Sequence, residues 1–320
     1  MSGPRSVRVR TPGKINVSLK VGPLRPDGYH SVASVYLAVS LFEEVTATEL
    51  AADEIRLTLS DPEGRLPEAG IPLDGDNLAA RAARAVASRA GRDRAGVHLH
   101  ITKRVPVAGG MGGGSADAAA ALVACNELWN AGLGPADLAD LAAGLGADVP
   151  FALLGGAAAG LGVGDRLTPV PAPQQLHWVL VPAAYGLSTP QVYAAVDRLR
   201  DGADVAEPTE ADPAVLAALA DGNTAALAGV LANDLQAAAL ELAPGLRSVL
   251  EAGIGLGALA GMVSGSGPTL AFLTAGEAAA SALAAALRAE GYDALAAYGP
   301  AEGAVVLPAA ETTAPQTYRK

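Results

Sequence analysis

The stretch Pro106–Asp117, PVAGGMGGGSAD, constrains this chain more than any other. Five of the six residues from Gly109 to Gly114 are glycine. Without a Cβ, successive N–H groups can turn toward one point and let a bulky anion lie against the backbone. Val97–Ile101, just before the bend, alternates like a strand. Ala116–Ala131, after it, reads as a helix with Leu122, Cys125 and Trp129 on one face. A glycine bend that opens into a helix presents free N–H groups and the positive end of the helix dipole, which together suit a phosphate. A flexible linker would not be flanked so closely by a strand and a long helix.

The bend is not of the lysine-tipped type, because Ser115 follows Gly114 directly, and the dinucleotide G-x-G-x-x-G spacing is absent. The cations sit upstream, at Lys103 and Arg104. Near the N-terminus, Pro12-Gly13 reads as a turn. From there Ile15, Val17, Leu19 and Val21 alternate with Lys14, Asn16, Ser18 and Lys20, so Lys14 and Asn16 share a strand face. Arg25-Pro26-Asp27-Gly28-Tyr29-His30 carries a turn signal followed by an aromatic and an imidazole. Farther on, Gly146-Ala147-Asp148-Val149-Pro150-Phe151 places Asp148 where it would cap a short helix, with Pro150 in its first turn.

Three segments of the chain, taken in order, resemble the motifs of the GHMP kinases, which phosphorylate small-molecule hydroxyls from ATP. The first, Lys14-Ile15-Asn16-Val17, then Arg25, then Asp27-Gly28-Tyr29-His30-Ser31, is similar to one branch of that family. This branch acts on a cytidyl-diphosphate methylerythritol in the non-mevalonate isoprenoid route. The second is Lys103, Pro106, Val107, Ala108, Gly109, Gly110, Met111, Gly112, Gly113, Gly114, Ser115 and Ala116, and the third is Ser264-Gly265-Ser266-Gly267-Pro268-Thr269. The resemblance implies ATP and Mg²⁺ as cofactors, with the second motif holding ATP. It implies Asp148 as the catalytic base, Lys14 as its partner, and Asn16, Tyr29 and His30 as substrate-binding residues. An aromatic face can stack on a pyrimidine, and an imidazole can bond its edge. The Mg²⁺ ligands stay open, with Ser115 one candidate. Ala108 stands where the family commonly has glycine, which requires that Ala108 avoid a positive φ. Other GHMP kinases, acting on homoserine or mevalonate, and an inactive nucleotide-binding regulator are the competing readings.

The implied fold is α+β in two domains. An ATP-binding domain resembling ribosomal protein S5 domain 2 spans residues 1–165, a ferredoxin-like substrate domain 166–308, and a loose tail 309–320. A chain of 320 residues with 51% apolar composition is long enough for both cores. A net charge of −11, with no basic run beyond two residues, argues against nucleic-acid and anionic-membrane partners. The charge-free segment Ala252–Gly276 contains seven glycines and Pro268, which would break a membrane span. The single cysteine, Cys125, excludes an internal disulfide and reads as a core thiol. His98 and His100 alternate on a strand without further ligands nearby and read as solvent-facing. A cytoplasmic monomer or homodimer is expected.

Overall fold

The computed structural model describes residues 4–66 and 70–308, so the expected tail, 309–320, lies outside the described residues. Two long strands, β1 (Ser6–Leu24) and β2 (His30–Glu49), form the spine of the first sheet and are joined through the Asp27-Gly28 turn. Next along the chain come β3 (Ile55–Ser60), α1 (Leu78–Arg89), β4 (Val97–Thr102), α2 (Gly113–Trp129), α3 (Pro135–Leu145), α4 (Val149–Leu154), β5 (Ala157–Gly162) and β6 (Arg166–Pro169). The remainder supplies β7 (Leu176–Val181), α5 (Thr189–Arg200), α6 (Pro213–Ala220), α7 (Thr224–Ala228), β8 (Ala232–Asn233), α8 (Gln236–Leu242), α9 (Gly245–Gly255), β9 (Ala260–Val263), β10 (Leu270–Thr274), α10 (Glu277–Ala289), β11 (Leu295–Gly299) and β12 (Val305–Val306).

The first sheet has eight strands along the path β12-β1-β2-β4-β3, with β5 and β6 continuing from β2 and β8 lying parallel to β1. The second has four antiparallel strands in the order β11-β7-β10-β9. With helices between β7 and β9 and between β10 and β11, this is the expected ferredoxin-like βαββαβ pattern. Helices α1 and α2 bury one face of the first sheet, on Val45, Ala47, Leu99 and Ile101. Ile15, Val35 and Leu37 of the first sheet meet Trp178, Leu180 and Leu273 of the second in a core of their own. Nearly every side chain of α2 is buried, and its run of alanines lets the helix lie close to its neighbours on all sides. Among the described residues, no helix is long and apolar enough to cross a membrane.

The structure departs from the sequence reading at several points. Pro12-Gly13 is not a turn: β1 runs straight through it and absorbs the irregularity as a register shift against β2. A second shift falls between Asn16 and Ser18, leaving Val17 without a partner on β2. Such a bulge moves the later side chains to the opposite face. Leu19 accordingly lines the same cavity as Lys14 and Asn16, instead of pointing with Ile15. His98 and His100 are half-buried and not fully solvent-facing, because the Thr58 hydroxyl bonds both rings at 2.8 Å. Helix α2 begins at Gly113, three residues ahead of the expected Ala116.

Candidate active site

Two glycine-bearing segments, the loop before α2 and the β9–β10 turn, converge with β1 on one cavity of about 520 Å³. Its wall includes Lys14, Asn16, Tyr36, Gly112–Ser115, Asp148, Tyr193 and Ser266. The bulged segment of β1 delivers Lys14 and Asn16, and the Lys14 ammonium donates to Asn16 Oδ1 at 2.8 Å. Asn16 Nδ2 donates in turn to Ser34 Oγ at 2.8 Å, and that hydroxyl donates to the Ser18 carbonyl at 2.8 Å. This chain of bonds fixes the amide orientation and leaves Asn16 Oδ1 aimed at the ammonium. Lys14 also lies 5.5 Å from the centre of the Tyr36 ring, over its face.

Asp148 stands at the N-terminus of α4, where the sequence suggests a capping role, yet its side chain makes no capping hydrogen bond. The carboxylate turns into the cavity instead, with Oδ2 3.6 Å from Lys14 Nζ. Burial first, and the neighbouring Asp148 second, push the Tyr36 phenol far above its ordinary value and the Tyr193 phenol up to about 12. Both hydroxyls therefore remain protonated donors at any working pH.

The glycine loop rests on the β9–β10 turn. Ser264 Oγ donates to the Gly110 carbonyl at 3.2 Å, and the Thr269 N–H points at the Gly109 carbonyl at 3.4 Å. Gly110 has φ 73°, and a Cβ there would run into the Ser264 carbonyl, so only glycine fits. Gly112, at φ 71°, is the N-cap of α2. The N–H groups of Gly113, Gly114 and Ser115 are thus the first of the helix, without intrahelical partners, at the cavity wall. Ala116 is already committed, donating to the Gly112 carbonyl at 2.9 Å, and its side chain is buried. Met111 is also turned into the core, while its carbonyl accepts from the Lys14 N–H at 3.0 Å. Ala108 adopts φ 52°, contrary to the requirement stated above. A left-handed alanine costs about 1–2 kcal/mol, which the loop's anchorage on the second sheet sustains.

Lys103 does not reach the cavity as a free cation. Its side chain is 3% exposed, and the ammonium sits between Glu43 Oε1 at 2.5 Å and Asp117 Oδ2 at 2.7 Å. Glu43 also accepts from the Arg104 and Val105 N–H groups at 3.0 and 3.3 Å. Burial works to lower the Lys103 pKa, but the two carboxylates outweigh it and raise it. Burial, with Asp117 alongside, pushes Glu43 up to about 8.

Tyr29 and His30 do not line the cavity. Tyr29 is 64% exposed on the β1–β2 turn. His30 lies behind Tyr193, with ring centroids 5.0 Å apart, and its Nε2 is 2.9 Å from Asp197 Oδ1. Tyr193 and Asp197 are functional candidates the sequence reading missed, because an aromatic and an acid within an amphipathic helix resemble core and surface positions. Their spacing of one helical turn was the only available signal.

The residues from 77 to 156 match the model of the GHMP kinases N terminal domain, and residues 215–293 match that of GHMP kinases C terminal. The chain is 60% identical over 306 residues to the 4-diphosphocytidyl-2-C-methyl-D-erythritol kinase of Pseudarthrobacter chlorophenolicus, covering 95% of each chain. This chain belongs to the GHMP kinases. A second such relative is the 4-diphosphocytidyl-2-C-methyl-D-erythritol kinase of Streptomyces coelicolor, 56% identical across 94% of this GHMP kinase and 99% of the relative. The fold matches a crystal structure of 4-(cytidine 5'-diphospho)-2C-methyl-D-erythritol kinase with a TM-score of 0.73 at 34% identity, over 92% of this chain and 99% of that one. A homoserine kinase from Cytophaga hutchinsonii shares the fold, with a TM-score of 0.70 at 20% identity over 96% of this chain and 99% of that one.

Proposed function

We propose that this GHMP kinase transfers the γ-phosphoryl group of ATP to the 2-hydroxyl of 4-diphosphocytidyl-2-C-methyl-D-erythritol. The observation that carries the reaction type is the placement of Lys14, Asp148 and the free N–H groups of Gly113–Ser115 on one cavity wall. The substrate rests on the full-length likeness to kinases of that name and on Asp27-Gly28-Tyr29-His30. In this reading the triphosphate lies along Gly109–Ser115 with its terminal phosphate at the N-terminus of α2. Asp148 takes the hydroxyl proton, and Lys14 neutralises charge developing on the attacking oxygen. Phosphoryl transfer has a loose transition state, so positioning and charge neutralisation carry most of the catalysis and proton removal comes late. Tyr193 offers a flat face at the cavity's edge for the pyrimidine, with Tyr29 on the adjoining turn.

Mg²⁺ accompanies ATP in this chemistry and prefers oxygen ligands, keeping several waters and taking one or two protein groups together with phosphates. Ser115, on the cavity wall in the first turn of α2, fits that demand. Among the described residues there is no cluster of three acidic, His or Cys side chains to hold a metal without the nucleotide. When bound, the ion supplies charge neutralisation on the phosphates.

Incubation with MgATP and each candidate acceptor, followed by ³¹P NMR, tests the assignment. A new phosphomonoester signal is expected on the cytidyl substrate. Phosphorylation of homoserine or mevalonate, with the cytidyl substrate untouched, would overturn it.

A further inference from the structure

We infer that Asn233, from outside the cavity, is a positioning residue that keeps the glycine loop in register with the Lys14–Asn16 pair, given the preceding reading that phosphoryl transfer takes place between them. Asn233 closes β8, the two-residue strand laid parallel on β1 at Ser18 and Leu19, just past the bulge. It is half-buried and does not line the cavity. Its amide nitrogen donates to the Val263 and Gly265 carbonyls, each at 2.8 Å, and its Oδ1 accepts from the Leu235 N–H at 2.9 Å. Both amide hydrogens are thus spent on carbonyls of the β9–β10 segment, and a flipped amide would set oxygen against oxygen. The next residue grips the other side. Asp234 Oδ2 accepts from the Val21 N–H at 2.8 Å, and the Asp234 N–H donates to the Leu19 carbonyl at 2.9 Å. Two adjacent residues therefore span the gap from the strand that carries Lys14 to the turn that carries Ser264 and Gly265.

That turn touches both halves of the site. Ser264 supports the glycine loop through the Gly110 carbonyl. Gly265 and Ser266 reach the cavity wall. A Cβ on Gly265 would lie 3.0 Å from Asn16 Oδ1 and 3.6 Å from Lys14 Nζ, so the backbone there lies close against the pair. A loosened turn still leaves ATP its N–H groups at the start of α2, and leaves the acceptor Lys14 and Asn16. What it loses is the alignment of phosphate with hydroxyl, where a displacement of about 1 Å costs up to about 10²-fold in rate. Gln236 supplies the comparison. Its Oε1 accepts from the Val263 N–H at 2.9 Å, a bond that ends on β9, ahead of the turn.

The test is steady-state kinetics with MgATP and the cytidyl substrate, alongside urea midpoints, on the full chain as wild type, Asn233→Ala, Asn233→Asp, Asn233→Ser and Gln236→Leu. Asn233→Ala is expected to lower kcat by about 10- to 100-fold, with both KM values within about threefold of wild type. Asn233→Asp, equal in size but without hydrogens for the two carbonyls, loses at least as much. Asn233→Ser, with one donor in place of two, falls between and is the variant read where Asn233→Ala does not fold. Gln236→Leu lowers the urea midpoint yet keeps kcat within about twofold. A wild-type kcat in Asn233→Ala, or in Asn233→Ser where only that variant folds, would overturn the inference while leaving the proposed reaction intact. So would a loss carried by KM, or an equal fall of kcat in Gln236→Leu. Failure of the wild type to use the cytidyl substrate would remove the proposed reaction, and this inference with it.

Discussion

Lys14 and Lys103 both face carboxylates within reach of the glycine loop, yet their surroundings differ at every point. Lys14 meets Asp148 at 3.6 Å, and that carboxylate is 33% exposed at the edge of a cavity. Lys103 is clamped by Glu43 and Asp117 at 2.5 and 2.7 Å, with Glu43 fully buried. Each Glu43 oxygen also accepts from the backbone, at Val105 and at Arg104. The first pair leaves room between its charges for a hydroxyl to enter. The second has no such room and serves to pin the end of β4, the middle of β2 and the start of α2 together. The same residue types thus give an open, solvent-reached couple or a structural rivet, according to distance and access to solvent.

Removing one member from each group sharpens that contrast. Asp148→Asn is expected to lower kcat by about 10²–10⁴, or roughly 3–5 kcal/mol on the barrier, with ATP affinity and urea midpoint little changed. Near-normal turnover would remove Asp148 from the base role. Lys103→Met should do the reverse and cost about 3–5 kcal/mol of folding stability, since two buried carboxylates lose their cation. Urea denaturation reads the loss, and an unchanged midpoint would reduce the cluster to decoration.

The buried cluster also predicts a pH response that the open pair does not. Glu43 is pushed up to about 8 in the folded protein, above its unfolded value. Its contribution is therefore complete below the unfolded carboxylate range and is lost as pH rises toward 8. Between pH about 5 and 8 the unfolding free energy should fall by about 1 kcal/mol per pH unit. Asp117→Asn, which removes the like charge, should flatten that slope. A wild-type slope of zero would refute the coupling. The smallest expected effect concerns the loop between the two groups. Ala108→Gly relieves φ 52° and should gain about 0.5–1 kcal/mol in stability with kcat unchanged.

The sequence made the open pair easier to find than the buried cluster. Alternation along β1 placed Lys14 and Asn16 on one face, and Asp148 was recognisable within its Gly-Ala-Asp-Val-Pro-Phe context. Its capping position was legible too, but whether the carboxylate bonds the helix or the cavity depends on Lys14, far away in the chain. Lys103 read as a phosphate cation because nothing local reveals Glu43, which arrives from β2 through sheet pairing. The bulge after Asn16 was invisible for a related reason: unbroken alternation in one strand says nothing about the partner's register. Tyr193 and Asp197 were hidden because a helix face gains its meaning from what it packs on, here His30. The left-handed Ala108 shows that composition bounds backbone conformation without determining it.

Strands β8 and β12 come from the later part of the chain but finish the sheet begun by β1: Val305 and Val306 pair with Arg10 and Val9, and Ala232 and Asn233 with Ser18 and Leu19. During synthesis the first strand to leave the ribosome must wait for nearly the last before its borders are complete. Pairing across so much sequence makes for slow closure. A fragment cut after β6 would expose unsatisfied backbone on the strand that carries Lys14, so the placement of that lysine depends on chain emerging long after it.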